Sequence, residues 1–169
     1  MPRLPTAILA AIALHLTAPA PLAQAAGESA PAARLDTPSG LPVPRFASLK
    51  SDRTNCRLGP SFDYPVTATY LRVGLPVEII AETKSHWRKI RDHDGGECWA
   101  HEATLRGPNR ALVVKETAML AQPENGARLR ARLAAEVLVR PVGREGRWRL
   151  IEADGIRGWV RNDALWGVD

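Results

Sequence analysis

The sequence is poor in cysteine and in aromatic residues, and it lacks long apolar segments. Its 169 residues include only two Cys, two Phe and two Tyr. Two Cys allow one disulfide and leave no spare thiol, which argues against a thiol enzyme. No apolar run reaches the roughly 18 residues that cross a bilayer. No stretch keeps an apolar period of 3.6 residues for long, and no nucleic-acid recognition motif is present. We therefore expect neither an integral membrane span in the mature chain nor a nucleic-acid partner.

The first residues have the pattern of a secretory signal peptide. One early base, Arg3, precedes an apolar run over about residues 7–16, and small residues follow up to Ala25. This order of charge, apolar run and small residues is typical of export signals. We predict a signal peptide over residues 1–25 that is cleaved after Ala25, and hence a periplasmic or secreted protein.

The chain that remains after this cleavage is mildly basic. Without residues 1–25 it has 22 basic and 18 acidic residues, a net charge of +4. Much of the basic charge lies in the last third of the chain, at Arg128, Arg130, Arg132, Arg140, Arg144, Arg147 and Arg149. Such a cluster favours an anionic polymer or surface, but it is equally typical of a solvated face of mixed charge.

Two regions of different composition follow the signal peptide. Residues 26–45 are rich in Ala, Pro, Ser and Gly and have few large apolar residues, so we predict a flexible linker there. From residue 46 onward, short runs rich in Val, Ile, Thr, Tyr and Trp alternate with turn pairs such as Gly-Pro and Asp-Gly. Several short strands at such spacing predict an all-β barrel or sandwich.

An internal repeat defines the units of this β-region. Residues 87–107 align with residues 148–167 after one gap in a turn. The matched pairs are Trp87 with Trp148, Ile90 with Ile151, Trp99 with Trp159, Leu105 with Leu165 and Gly107 with Gly167. Two copies of about 60 residues therefore follow one another. We predict one barrel over residues 46–108 and a second, divergent barrel over residues 109–169.

The stretch HWRKIRDHDGGECWAH, residues 86–101, concentrates the residue types of an enzyme site. A hydrolase or metal-dependent enzyme would use Cys98, His101 or His93 from it. The second copy discards these groups, because Arg147 replaces His86, Gly158 replaces Cys98 and Arg161 replaces His101. The repeat keeps the residue types that the hydrophobic core and the turns require.

A hairpin accounts for the same residues without catalysis. Asp92, Gly95 and Gly96 tolerate the backbone angles of a tight turn. Cys98 and His101 are three residues apart on an extended strand, so their side chains project to opposite faces. We therefore predict no catalytic residue, no metal ligand and no cofactor.

Several motifs resemble the bacterial SH3-like (SH3b) domains of exported proteins. The motif Asn-x-Arg-x-Gly-Pro occurs at residues 55–60, the run Gly-Leu-Pro-Val-Glu at 74–78 and the closing Gly-Trp-Val at 158–160. The resemblance covers residues 46–107 well and residues 111–167 more loosely. It implies two small barrels of five to six strands that act as targeting or interaction modules. Domains of this family often bind cell-wall peptide or partner proteins.

The chain departs from the family pattern at both cysteines. Cys56 stands where the family mostly has an aliphatic residue, and Cys98 stands where a Gly commonly precedes the Trp. Since the family fold brings these strands together, the resemblance implies a Cys56–Cys98 disulfide; two independent buried thiols are the alternative. The paired tryptophans are assigned to the core. Trp166, which matches Arg106, is the better candidate for exposure, and no ligand-binding residue is assigned.

These observations lead to one main functional hypothesis and two alternatives. The main hypothesis is a non-catalytic cell-envelope binding or targeting module that contacts cell-wall peptidoglycan or a periplasmic partner protein. One alternative is the hydrolase or metal-dependent enzyme described above, and the other is a structural or inhibitory subunit of a periplasmic complex.

Overall fold

A computed structural model describes Arg34 and residues 36–168 of the chain. The predicted signal peptide, residues 1–25, lies outside the described residues, as do residues 26–33 and 35 of the predicted linker. Within the described part, no helix is long and apolar enough to cross a membrane. Both barrels belong to one compact unit of the chain.

The first barrel is a seven-stranded antiparallel sheet. Its strands pair in the order β3-β2-β6-β5-β4-β1-β7. They are β1 (Arg45–Leu49), β2 (Thr54–Arg57), β3 (Val66–Tyr70), β4 (Pro76–Glu82), β5 (Trp87–Arg91), β6 (Glu97–His101) and β7 (Leu105–Arg106). A short 3₁₀ turn, Glu102–Thr104, precedes β7.

The second barrel repeats this topology. Its strands pair in the order β10-β9-β13-β12-β11-β8-β14. They are β8 (Ala111–Val113), β9 (Thr117–Leu120), β10 (Leu129–Leu133), β11 (Leu138–Glu145), β12 (Trp148–Ala153), β13 (Ile156–Arg161) and β14 (Leu165–Trp166). The all-β, two-barrel prediction is confirmed. Each sheet has seven strands rather than five or six, because the two-residue strands β7 and β14 add to the ladder.

Equivalent residues occupy equivalent places in the two sheets. Ile90 and Ile151 are both completely buried. Ile90 lies opposite Cys98 in the ladder, and Ile151 lies opposite Gly158. The register therefore reproduces the alignment of the internal repeat, including the exchange of Cys98 for Gly158.

The turn between β5 and β6 is the hairpin that the sequence predicts. The Asp92 backbone N–H donates to the Gly96 carbonyl at 3.0 Å, and the Gly96 N–H donates to the Asp92 side chain at 2.7 Å. Gly95 takes a left-handed conformation with φ of 86°, which favours glycine. The acidic residue and the glycines thus serve the turn.

The predicted linker, residues 26–45, extends too far toward the barrel. Val43 is 2% exposed and belongs to the first hydrophobic core, and Arg45 already begins β1. The Ser39 N–H donates to the Glu82 carboxylate at 3.1 Å. We call residues 36–44 the strap. The composition gave no sign of this order, because one buried Val and a few hydrogen bonds anchor it.

The assignment of the paired tryptophans to the core is wrong for three of the four. Trp87 is 4% exposed, whereas Trp99, Trp148 and Trp159 are only partly buried. Cys98 and Ala100 fill the core side of β6, so Trp99 between them faces away from it.

The two barrels contact each other through several side chains. Trp166, predicted to be exposed, is partly buried and packs edge-on against Phe46, with ring centroids 5.1 Å apart. Arg72 donates to the Glu136 carbonyl at 2.6 Å. Glu136 has a φ of 68° at the position where the first barrel has Gly74 with a φ of 81°. The equivalence is structural, since their N–H groups bond to the carbonyls of Val113 and Leu49 respectively.

Candidate functional site

A disulfide joins Cys56 of β2 to Cys98 of β6. Both residues are nearly inaccessible, with exposures of 0% and 6%. The predicted pairing is confirmed. In this bonded form Cys98 has no thiolate to act as a nucleophile, and this removes the thiol mechanism from the enzyme alternative.

The disulfide anchors a hairpin that is otherwise loosely attached. β2 and β3 form a two-stranded arm, and β2 is paired with β6 at only one position, Arg57 with Trp99. The covalent bond therefore supplements a short ladder between the arm and the rest of the sheet. The loop at the end of this arm, residues 58–65, carries the most exposed aromatic side chain of the described chain, Phe62.

Phe62 lies at the centre of an aromatic patch that also contains Trp87 and His101. Its ring is 4.9 Å from the Trp87 ring in an edge-on arrangement and 5.4 Å from the His101 ring in a stacked one. Trp87 and His101 are 5.4 Å apart and cross-strand neighbours. Phe62 is 66% exposed, whereas Trp87 forms a buried floor. The patch thus presents one aromatic face to solvent over a fixed base.

Arg57 holds the loop in this position. Its Nη1 donates to the carbonyls of Phe62 at 3.0 Å and Tyr64 at 2.6 Å, and its guanidinium lies 5.6 Å from the Phe62 ring centre. Gly59 lets the Tyr64 ring approach closely, since a Cβ there would be 2.6 Å from that ring. The Arg and the Gly of the Asn-x-Arg-x-Gly-Pro motif thus shape the loop that carries Phe62.

Charged groups border the aromatic patch on the side of the 3₁₀ turn. His86 Nδ1 is 2.7 Å from one oxygen of Glu102, and Arg88 Nη2 is 2.5 Å from the other. The Ala103 N–H donates to His101 Nδ1 at 3.3 Å, which orients the imidazole. The border therefore offers a carboxylate, a guanidinium and imidazoles next to an apolar face.

The second barrel has no equivalent of this patch. Arg161 replaces His101, and its guanidinium lies 5.6 Å from the ring of Trp148. The loop between β9 and β10, residues 121–128, contains no aromatic residue. Sequence reasoning assigned no binding residue and so missed Phe62. The signal was an aromatic residue in the Gly-Pro loop of one copy only.

The three residues of the enzyme alternative do not converge. Cys98 is in the core, and His101 is in the aromatic patch. His93 lies in the β5–β6 turn, where Nε2 is 3.3 Å from Asp94 and 3.2 Å from Glu136 of the second barrel. Among Arg34 and residues 36–168, no three His, Cys, Asp or Glu side chains are placed to hold a metal ion.

Tyr70 and the turn acids are engaged in structural contacts. Burial, together with the nearby Asp92 carboxylate that accepts its hydroxyl at 2.8 Å, raises the pKa of Tyr70 well above its usual range. Hydrogen bonds from Lys89 and Arg91 lower the pKa of Glu97. Both groups are thus stabilised in their ordinary charge state at neutral pH.

The basic cluster of the second barrel is partly neutralised. Glu152 contacts both Arg140 and Arg157 at 2.7 Å, and these two guanidinium groups lower its pKa. Within the described chain, the exposed Arg128, Arg144 and Arg147 have no acidic partner. The net basic surface is therefore smaller than the sequence count indicates.

Comparisons with known proteins give a family and two remote structural likenesses. No curated protein matches the chain. It is similar to the solved structures of NlpC2 and NlpC1 from Trichomonas vaginalis, each with 15% identity and a TM-score of 0.34. The likeness covers 75% of this chain and 50% of NlpC2, and 72% of this chain and 45% of NlpC1. The chain thus spans about half the length of these proteins, and the likeness is too remote to indicate a function.

The family comparison matches both barrels. The model of the bacterial SH3 domain matches residues 50–107 and again residues 113–167. These two segments contain β2 to β7 of the first sheet and β9 to β14 of the second, and the two sheets have the same strand order. They make up more than half of the chain, and the chain belongs to the bacterial SH3 domain family.

Proposed function

We propose that the chain is an exported, non-catalytic binding module of the cell envelope, and that the aromatic patch of its first barrel contacts cell-wall peptidoglycan. The observation that carries this proposal is Phe62, 66% exposed on a base made by Trp87 and His101 in a member of this family. Exposed aromatic rings over a fixed apolar base are typical of binding sites for extended peptides.

The disulfide supports the extracytoplasmic part of the proposal. Cys56 and Cys98 are bonded, and stable disulfides are characteristic of proteins that fold outside the reducing cytoplasm. A periplasmic location after removal of residues 1–25 agrees with this chemistry. It can be tested by the intact mass of the protein recovered from the periplasm.

A non-catalytic role agrees with the arrangement of the reactive residues. Cys98 is bonded, His93 contacts the second barrel, and His101 is stacked against Phe62. Domains of the bacterial SH3 family typically accompany enzymes as binding modules. The same reasoning favours recognition over hydrolysis here.

Co-sedimentation with purified cell-wall sacculi tests the wall-binding proposal. We expect the wild-type protein to pellet with sacculi and Phe62→Ala to bind roughly tenfold more weakly, since aromatic anchors dominate such contacts. Ile156→Ala is the matched control, because Ile156 is an exposed apolar residue of the second barrel. Equal binding by wild type and Phe62→Ala would contradict the role of the patch. Failure of the wild type to pellet at low salt would contradict wall binding itself.

An acidic periplasmic protein is the second candidate partner, and the unpaired arginines favour it. Arg128, Arg144 and Arg147 are exposed in the second barrel. Attraction between an arginine face and an anionic surface is screened by salt, and the Debye length falls from about 14 Å to about 4 Å between roughly 0.05 and 0.5 M. Affinity isolation at both salt concentrations, with wild type and Phe62→Ala, separates a salt-sensitive protein partner from a patch-dependent wall ligand.

A further inference from the structure

A cleft with its own apolar floor lies between the strap and the first barrel, and Arg88 and Glu102, which border the aromatic patch, also line it. We call it the strap cleft. Its volume is about 450 Å³, within the range of about 300–1,000 Å³ that is usual for small-ligand sites. The residues that matter here are Leu41 of the strap, Arg45 and Phe46 of β1, Arg88 of β5, and Leu105 and Arg106 of β7.

The floor of the strap cleft is apolar. Phe46 and Leu105 are partly buried and line it from two strands, and Leu41 of the strap, which is 52% exposed, forms a side wall. Apolar side chains exposed in a concave site gain free energy when a ligand displaces the water over them. The cleft therefore suits an aliphatic group.

A buried carboxylate fixes one wall of the cleft. The Glu82 side chain is fully buried and accepts from Arg45, and Arg88 Nε lies 3.3 Å from it. Burial alone would raise the pKa of Glu82, but hydrogen bonds from Ser39 and Arg45 outweigh that effect and lower it. This network ties the strap to β1, β4 and β5. The wall is thus ordered before any ligand arrives, which reduces the entropic cost of binding.

The charges around the strap cleft leave an excess of one positive charge. Arg45, Arg88 and Arg106 supply three cations, whereas Glu82 and Glu102 supply two anions. Arg106 is exposed and has no acidic partner in the described part of the chain. An anionic end on the ligand would therefore find its counter-charge at Arg106.

Part of the strap cleft lies outside the framework that the two barrels share. Arg45 and Phe46 belong to β1, which has the place of β8 in the second sheet, whereas Leu41 belongs to the strap, which precedes the first strand and the family match. In the second barrel the counterpart of Arg106 is Trp166, since both are the last residues of the short closing strands. The combination of apolar floor and unpaired guanidinium thus belongs to the first barrel alone.

We propose that the strap cleft binds the carboxyl-terminal end of a short peptide. The last side chain, of leucine or valine size, packs on Phe46 and Leu105, and the terminal carboxylate pairs with Arg106. The apolar floor selects the side chain, and the excess positive charge selects a free carboxylate over an amide. Because Phe46, Leu105 and Arg106 lie outside the aromatic patch, the inference does not depend on the wall-binding proposal.

Titration of the full chain with two matched peptides tests this inference. The probes are acetyl-Ala-Leu with a free carboxylate and acetyl-Ala-Leu-amide. Binding of each is measured by the chemical shifts of the protein's backbone amides in NMR spectra. We expect saturable shifts at Leu41, Phe46 and residues 103–107 with the acid, and binding of the amide roughly fivefold weaker, as a solvent-accessible ion pair allows. Arg106→Gln should bind acid and amide equally. Leu41→Ala should weaken both, and Arg128→Gln in the second barrel should change neither.

Several results of this titration would contradict the proposal. The absence of saturable shifts, or shifts confined to Phe62 and His101, would overturn the assignment of the cleft. Equal affinity of wild type for acid and amide would overturn the role of Arg106. Shifts at the cleft that grow with protein concentration without peptide would assign the surface to a second copy of the chain and so also overturn the proposal.

Discussion

The β2–β3 hairpin of the first barrel and the equivalent β9–β10 hairpin of the second are attached to their sheets by different chemistry. In the first barrel Cys56 and Cys98 form a bond between β2 and β6. In the second, Met119 of β9 packs directly over Gly158 of β13, where a Cβ would be only 2.4 Å from Met119 Cγ. One copy uses a covalent cross-link and the other a large side chain that fills the space left by a glycine. The fold therefore requires contact at this position but not a particular kind of contact.

The hairpins also differ in what they carry. The covalently held one presents Phe62 and Tyr64, which are 66% and 44% exposed. The other has no aromatic residue in its loop and carries Arg128, Arg130 and Arg132 on or beside its outer strand. A fixed loop loses less entropy when it binds, so the cross-link and the exposed aromatic ring on one arm agree with a recognition role for the first barrel.

The largest expected effect is the loss of the disulfide. Cys56→Ala/Cys98→Ala should lower the free energy of unfolding of the first barrel by about 4 kcal/mol, because the bond closes a loop with a sequence separation of 42 residues. Cys56→Met/Cys98→Gly, which copies the second barrel, should recover part of this loss. Amide hydrogen exchange, detected by mass spectrometry, measures the stability of each barrel separately. An equal loss of protection in residues 111–167 would contradict the independent roles of the two contacts.

A smaller effect is expected at the matching position of the second barrel. Gly158→Ala places a Cβ against Met119 and 2.9 Å from the Leu120 carbonyl oxygen, which is backbone and moves little. We expect a loss of about 2 kcal/mol in the second barrel, as is usual for overpacking. Adding Met119→Ala should not restore the wild-type value, because the clash with Leu120 persists and a cavity forms. Full stability of Gly158→Ala in chemical denaturation would show that the close packing is not required.

The acid sensitivity of the barrels should differ because of one carboxylate. Glu82 is paired with Arg45 and Arg88, whereas its counterpart in the second barrel is Arg144. The pKa of Glu82 is lowered in the folded state, so its contribution is present above the ordinary value of 4.5 and is lost as pH falls through the lower folded value. Between about pH 5 and pH 3 the first barrel should therefore lose more protection than the second.

Glu82→Gln is the variant that isolates this effect. Glu97 in the first barrel and Glu152 and Asp163 in the second also have lowered pKa values, so both barrels share some sensitivity to acid. Replacing Glu82 should reduce the difference between the barrels in hydrogen exchange across that pH range. An unchanged difference would assign the acid sensitivity to other groups.

The smallest expected effect concerns the position with positive φ before β4 and β11, which is Gly74 in the first barrel and Glu136 in the second. Glu136→Gly relieves the cost of a non-glycine residue at positive φ but removes the side-chain ion pairs with Arg72 and His93, while the hydrogen bond from Arg72 to the backbone carbonyl remains. We therefore expect a change within about 0.5 kcal/mol. Gly74→Ala should cost about 1 kcal/mol or more, because φ is 81° and a Cβ would be 2.9 Å from Arg110. Thermal unfolding of both variants tests this; a larger loss for Glu136→Gly would assign Glu136 an essential role between the barrels.

Several features followed from local patterns in the sequence. The Asp92–Gly96 turn and the exchange of Cys98 for Gly158 were readable from turn chemistry and the internal repeat. The pairing of Cys56 with Cys98 followed from the family resemblance, because only two cysteines stand on strands that the family fold brings together. The strap was missed, since a single buried residue, Val43, anchors a segment whose composition resembles a linker.

The sequence by itself determined two tandem β-units and their repeat register, because these depend on periodicity and turn residues along the chain. The cross-link of the first unit was implied by the family resemblance. Only the tertiary structure decided that Phe62 meets Trp87 and His101, and that Leu41 and Arg106 border one cleft. Those residues come from strands and loops far apart in sequence. Their convergence depends on strand pairing and on which face of each strand turns outward, and alternation alone does not distinguish the two faces when aromatic residues occupy both.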